Sequence, residues 1–113
     1  MNELTLSVYS NDLLDVKYEN INYQEKHTFI YFEIENTKYF FYKDLSALKY
    51  HTKEEKVSMN FKDKLVTITL IQNLYTLDIK INKFTYEKTK NTYKITYVLD
   101  SEPDITKTIL ITL

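Results

Sequence analysis

Apolar and polar residues alternate with a period of two along nearly the whole chain, and helical spacing is almost absent. The apolar members of the clearest alternating runs are Leu4, Leu6 and Val8; Val57, Met59 and Phe61; Val66, Ile68 and Leu70; Tyr75, Leu77, Ile79 and Ile81; Tyr93, Ile95, Tyr97 and Leu99; and Ile109, Ile111 and Leu113. Successive side chains of a strand point to opposite faces, so this period predicts half-buried strands. The abundant Thr, Ile, Val, Tyr and Phe residues suit the same pleated surface.

Turn signals separate these runs. The chain has no Gly, so the left-handed positions of its tight turns are expected to fall on Asn or Asp. The residues that lie in the gaps are Asn36, Asp63, Asn73, Asn82 and Asn91, and the clearest loop is 100–104. Turns at intervals of about 8–12 residues predict an all-β fold.

We expect a single domain over residues 1–113, built as an antiparallel up-and-down β-barrel of about eight to ten strands, with a β-sandwich as the alternative. The one place for a helical turn is 44–49.

Two aromatic-rich runs flank Glu35-Asn36-Thr37-Lys38 and predict a hairpin. With Asn36-Thr37 as its loop, the expected opposite pairs are Ile34 with Tyr39, Phe32 with Phe41, Ile30 with Lys43, Glu35 with Lys38 and Tyr31 with Tyr42. One face of this hairpin has the character of core. The other face carries four aromatic residues: Phe29, Tyr31, Phe40 and Tyr42. We interpret these four as a candidate ligand site or subunit interface, since large apolar patches usually mark contacts. The favoured prediction is that another part of the chain covers them, and the ligand site or interface is its alternative.

Composition excludes several kinds of chemistry. There is no Cys, so disulfides and thiolate sites are absent, and a chain without Gly lacks phosphate-binding loops and the elbow of serine hydrolases. The two histidines, His27 and His51, have no second ligand at metal-binding spacing, so no metal and no cofactor are expected. All 15 basic residues are Lys and they are balanced by 16 acidic residues, which gives no basic track for nucleic acid. We therefore expect neither an enzyme nor a nucleic-acid-binding protein.

The composition also bears on origin and location. Lys, Ile, Asn, Tyr and Phe are frequent while Gly and Arg are absent, which is typical of a bacterial genome of low GC content. The opening residues, MNELTLSVYSND, lack the basic and apolar regions of a signal peptide. No apolar run approaches the roughly 18 residues of a membrane-spanning helix. A soluble cytoplasmic protein without membrane association is the expectation.

Four stretches of the chain resemble the YwiB-like family, small uncharacterised bacterial proteins with a lipocalin-like (calycin) β-barrel. They are TLSVYS, FIYFEIENTKYFFYKDL, LYTLDIKINKFTYEK and NTYKITYVLDSEPDITKTILITL. The chain departs from the family after the strand Val57-Ser58-Met59-Asn60, where it has Asn60-Phe61-Lys62 and neither the Arg nor the Gly that the resemblance implies. The resemblance implies a barrel but no activity.

These observations favour a non-catalytic binding module for a small apolar or amphipathic molecule. The alternative is a structural or interaction protein that forms a homodimer or hetero-complex through the aromatic strand face. A barrel of this size holds one small ligand or is filled by its own side chains. The aromatic residues expected to point inward are Tyr18, Phe32, Phe41, Tyr75, Tyr93 and Tyr97.

Overall fold

The computed structural model describes residues 2–113, and all regular structure within them is β-strand. The strands are β1 (Glu3–Ser10), β2 (Leu13–Glu25), β3 (Phe29–Ile34), β4 (Thr37–Tyr42), β5 (Ala47–His51), β6 (Glu55–Asn60), β7 (Leu65–Leu70), β8 (Thr76–Lys88), β9 (Thr92–Leu99) and β10 (Thr106–Thr112). Each strand pairs antiparallel with its neighbours in sequence, and β1 pairs with β10. The ladder is therefore a closed ten-stranded up-and-down barrel, which confirms the predicted fold.

The residues cluster in two compact units. The first comprises Met1–Asn22 and Ile81–Leu113, and the second comprises Tyr23–Lys80. The longest strands, β2 and β8, have 13 residues each and contribute to both units. The single domain expected from the chain length stays a prediction.

Each unit has its own buried apolar side chains. In the first unit these are Leu4, Leu6, Ile81, Tyr93, Ile95, Tyr97, Val98, Ile109 and Ile111. In the second they are Ile30, Phe32, Ile34, Phe41, Leu45, Ala47, Leu48, Val57, Met59, Phe61 and Val66. Most follow the predicted alternation, because strands such as β3 and β6 have one covered face and one uncovered face. Two of the expected inward aromatics differ: Tyr18 is only half-buried, and Tyr75 is 59% exposed.

Two hairpins are closed by two-residue turns with both central residues in the left-handed region. Asn11 and Asp12 have φ angles of 50° and 67°, and Glu35 and Asn36 have 48° and 68°. Two successive positive φ angles define a type I′ turn, whose twist matches that of the strands. The second hairpin therefore turns at Glu35-Asn36, one residue earlier than predicted.

The earlier turn corrects every expected pair of this hairpin. The observed opposite pairs are Ile34 with Thr37, Glu33 with Lys38, Phe32 with Tyr39, Tyr31 with Phe40, and Ile30 with Phe41. Each residue of β3 thus meets a β4 residue two positions earlier than expected. Since side chains alternate with a period of two, this shift changes the partners and leaves every side chain on its predicted face.

The expectation that Asn and Asp take the left-handed turn positions is wrong at several places. Lys64 has a φ of 54° and Leu74 has 56°, whereas the neighbouring Asp63 and Asn73 do not have positive φ. The side chains of these neighbours are engaged otherwise: the Asp63 carboxylate accepts a hydrogen bond from the Asn60 amide at 2.9 Å, and Asn73 Oδ1 accepts one from the Tyr75 backbone N–H at 3.1 Å. Asn and Asp stabilise these turns through their side chains, and the next residue takes the strained conformation.

The helical turn considered at 44–49 does not form. Asp44 Oδ1 accepts a hydrogen bond of 2.9 Å from the Ser46 N–H, and Leu45 lies in the left-handed region with a φ of 64°. This Asx turn directs the chain into β5, which begins at Ala47.

Candidate functional site

The four aromatic residues singled out in the sequence lie together on one face of the second unit. Phe29 lies opposite Tyr42, and Tyr31 lies opposite Phe40, in the β3–β4 ladder. Residues directly opposite in an antiparallel pair share a face of the sheet, so the four rings project from the same side. All four are half-buried, unlike Ile30, Phe32 and Phe41 on the other face, which are 0–1% exposed. We call this set the aromatic face.

The rings of the aromatic face touch one another. The centroid of Phe40 lies 5.1 Å from that of Tyr31 and 5.9 Å from that of Phe29, and Phe29 lies 5.8 Å from Tyr42. These separations and the tilted planes fall in the favourable range for aromatic pairs. The rings therefore cover part of each other. What remains uncovered is a continuous apolar surface.

Basic side chains border this surface on β4, β5 and β6. Phe40 lies opposite Lys49, and His51 lies between Lys38 on one neighbouring strand and Lys56 on the other. The ring of His51 is 5.2 Å from the ring of Phe40, and the Nζ of Lys49 is 5.3 Å from the centroid of Tyr42. We call Lys38, Lys49, His51 and Lys56 the basic border. The sequence does not reveal the basic border, because the alternation does not determine the pairings that bring β4, β5 and β6 together.

The basic border acts on the imidazole of His51. Partial burial lowers the pKa of His51 below its ordinary value of 6.5, and the charges of Lys56, Lys38 and Lys49 lower it further. Both effects disfavour the protonated ring. The positive charge on this part of the face therefore comes from the three lysines near neutral pH.

Few carboxylates balance these lysines. The side-chain ion pairs in the described part of the chain join Lys17 to Glu19, Lys43 to Glu25 and Lys107 to Asp15. None of them includes a lysine of the basic border. Glu33 lies opposite Lys38, whereas the strand neighbours of Lys49 are Phe40 and Ser58. The face thus combines an apolar half with a cationic half.

A second exposed apolar feature lies at the β7–β8 connection of the second unit. Its exposed side chains are Leu70 at 38%, Ile71 at 39%, Leu74 at 77%, Tyr75 at 59% and Leu77 at 46%. A cleft of about 340 Å³ lies beside it, lined by Lys53, Glu54, Leu70, Ile71, Gln72 and Asn73. The alternation predicted a half-buried strand that contains Tyr75 and Leu77. A signal was available, since residues 65–77 contain no charged residue.

One polar cluster joins distant parts of the first unit. Lys107 Nζ donates a 2.7 Å hydrogen bond to Ser10 Oγ and lies 3.5 Å from Asp15, and the Ser10 hydroxyl donates to the same carboxylate. The Lys107 and Asp15 side chains are 30% and 41% exposed. The three groups hydrogen bond and ion pair with one another at the surface. This is the arrangement of a solvated ion pair that links β1, β2 and β10.

Within residues 2–113, no group of three or more His, Asp or Glu side chains is placed to hold a metal ion. The same residues contain no helix with the length and apolar character needed to cross a membrane.

Comparisons of the chain with protein-family models, with curated proteins and with solved structures found no significant match.

Proposed function

We propose that this protein is a non-catalytic binding module whose site is the aromatic face, and that its ligand is a small amphipathic molecule. The observation that carries the proposal is the continuity of the four rings, which contact one another at 5.1–5.9 Å and remain partly exposed. Fully burying an aromatic side chain contributes about 1.5–3 kcal/mol, so a ligand that completes this burial gains a substantial binding free energy.

Packing within the second unit supports the aromatic face as the site. The opposite face of β3 and β4 carries Ile30, Phe32, Ile34 and Phe41, whose exposure is 0–6%. These side chains already have apolar neighbours. The rings of Phe29, Tyr31, Phe40 and Tyr42 retain apolar area for a partner molecule.

A homodimer formed through the same face is the second candidate. It is favoured by the position of the rings on a strand surface, because two such surfaces pack face to face as in a β-sandwich. The two functions differ in how stability depends on concentration. A dimer gains stability as protein concentration rises, whereas a monomeric binding module gains it only from added ligand.

The test is the double substitution Tyr31→Ser with Tyr42→Ser. Its matched control is Tyr75→Ser with Tyr86→Ser, which removes two tyrosines that are 59% and 58% exposed elsewhere. Native mass spectrometry of protein purified from cells should detect a small molecule on the wild type and the control, and none on the double variant. A wild type that sediments as a dimer and becomes monomeric in the double variant would establish the second candidate. A wild type that stays monomeric and carries no molecule refutes the binding module.

We also propose that the barrel is lipocalin-like (calycin) and that the chain is a YwiB-like protein acting in a bacterial cytoplasm. The support is the closed up-and-down order of the ten strands together with the four stretches of resemblance and the low-GC composition. Fractionation of the native host, with detection of the protein in the cytosol, tests the location.

A further inference from the structure

The basic border lies close to the rings of the aromatic face. Lys49 is opposite Phe40 on the adjacent strand, and His51 is in ring contact with Phe40 at 5.2 Å. Adjacent strands are about 4.8 Å apart, so a polar group held by Lys49 lies within one strand spacing of the apolar surface. A single small molecule can therefore contact both the basic border and the aromatic face.

The lysines of the basic border can pair with an anion from outside the protein. Lys49 and Lys56 have no carboxylate directly opposite them on either neighbouring strand, and neither is in an ion pair among residues 2–113. Their neighbours are Phe40, Ser58, His51 and Thr69. Lysines gathered without a counter-ion repel one another, and a bound anion relieves that repulsion.

The size of the aromatic face limits the ligand. Residues two apart on a strand are about 6.8 Å apart, so the four rings cover roughly 7 Å by 5 Å. This area fits an aromatic ring or a short alkyl chain. A nucleic acid strand needs a longer basic groove that follows its backbone.

We infer that the ligand of the aromatic face is a small free carboxylate with an apolar body, whose carboxylate binds at Lys49 and Lys56 while the body lies on Phe40 and Tyr31. This inference rests on the proposed function, and it specifies the chemical class of the ligand. The carboxylate is the charge-complementary group for two lysines, and its hydrogen bonds to ammonium groups are charge-assisted.

The test compares three probes that share an eight-carbon chain: octanoate, octyltrimethylammonium and octyl glucoside. Each is titrated into isotopically labelled protein, and the Kd is taken from amide shifts of β3, β4 and β5. The decisive variant is Lys49→Met with Lys56→Met, which keeps most of the aliphatic stems. Its control is Lys62→Met with Lys90→Met, which removes the same charge at exposed positions elsewhere.

Octanoate should bind the wild type and the control more tightly than octyl glucoside does, and octyltrimethylammonium should bind weakest. The Lys49/Lys56 variant should weaken octanoate binding by about tenfold or more, since it removes the charge-assisted hydrogen bonds to the carboxylate. Its affinity for octyl glucoside should not change.

Equal affinity for octanoate and octyl glucoside, with no effect of the lysine variant, overturns the inference and leaves the binding module intact. If no probe shifts the β3 and β4 signals, the proposed function itself fails. Two further probes are a twelve-residue thymidine oligonucleotide and vesicles of anionic phospholipid. Tighter lysine-dependent binding of either one overturns the small carboxylate in favour of single-stranded nucleic acid or a membrane surface.

Discussion

The ammonium group of Lys49 lies 5.3 Å from the centroid of the Tyr42 ring. Lys49 is directly opposite Phe40, so Tyr42 is its diagonal neighbour on the same face. The two residues are brought together by the turn between β4 and β5, in which Asp44 accepts a hydrogen bond from the Ser46 N–H and Leu45 has a positive φ. This contact joins the aromatic face to the basic border.

The ammonium group of Lys49 and the ring of Tyr42 should be coupled in stability. A cation over an aromatic ring contributes about 0.5–1 kcal/mol at an exposed site, so the coupling free energy between Lys49→Met and Tyr42→Leu should be about that amount, whereas Lys49→Met alone also relieves repulsion from the other lysines of the basic border. Urea denaturation of wild type, Lys49→Met, Tyr42→Leu and the double variant gives the coupling between the two side chains. A coupling of zero contradicts the contact, and Lys62→Met serves as the control for loss of one positive charge.

Neighbouring phenylalanines of β4 should differ sharply in their effect on stability. Phe41 is 0% exposed and Phe40 is half-buried, because successive side chains point to opposite faces. Phe41→Ala should cost about 3–5 kcal/mol, which is typical of a buried Phe replaced by Ala. Phe40→Ala should cost about 1–2 kcal/mol, since less apolar area is buried there. Equal losses in denaturant titrations would show that the two faces are assigned wrongly.

Replacing Leu74 by Gly should stabilise the protein. Leu74 has a φ of 56° and is 77% exposed. Its backbone is therefore strained in the left-handed region, while its side chain buries little apolar area. The left-handed conformation costs a non-Gly residue about 1–2 kcal/mol, and Gly offsets part of this gain through its larger unfolded-state entropy. We expect a net gain of about 0.5–1 kcal/mol in the free energy of unfolding. The control, Leu77→Gly within β8, should be destabilising, and a destabilising Leu74→Gly would contradict the prediction.

The alternation determined the faces of the strands but not their partners. Phe29, Tyr31, Phe40 and Tyr42 were placed on one face correctly, because a shift of two residues in the hairpin preserves the face. The pairing itself depended on whether Glu35 accepts a left-handed conformation, and residue type disfavours this. The basic border depends on the pairings of two further strands, β5 and β6, so only the structure could reveal it. Tyr75 was assigned to a strand because it continues the alternation, but β8 begins one residue later, at Thr76.

His51 should make the stability of the protein depend on pH. An unfolded His titrates near pH 6.5, and burial together with Lys56, Lys38 and Lys49 lowers the pKa of His51 in the folded protein. Between the folded and unfolded pKa values, the unfolded chain binds more protons, so stability rises with pH in this window. The contribution of neutral His51 is present above about pH 6.5 and is lost as pH falls through the folded pKa.

The groups that face His51 fix the sign of this effect. They are Lys38 on β4, Lys49 on its own strand, Lys56 on β6 and the ring of Phe40, and none of them is a carboxylate that favours the imidazolium. We expect wild-type protein to lose more stability than His51→Gln when the pH is lowered from about 7.5 to about 5. Thermal melts across this range measure the difference, and His27→Gln is the control for loss of one imidazole. If His51→Gln keeps the full wild-type dependence, or if His27→Gln removes as much of it, His51 is not the group responsible and the lysines do not act on it as the geometry indicates.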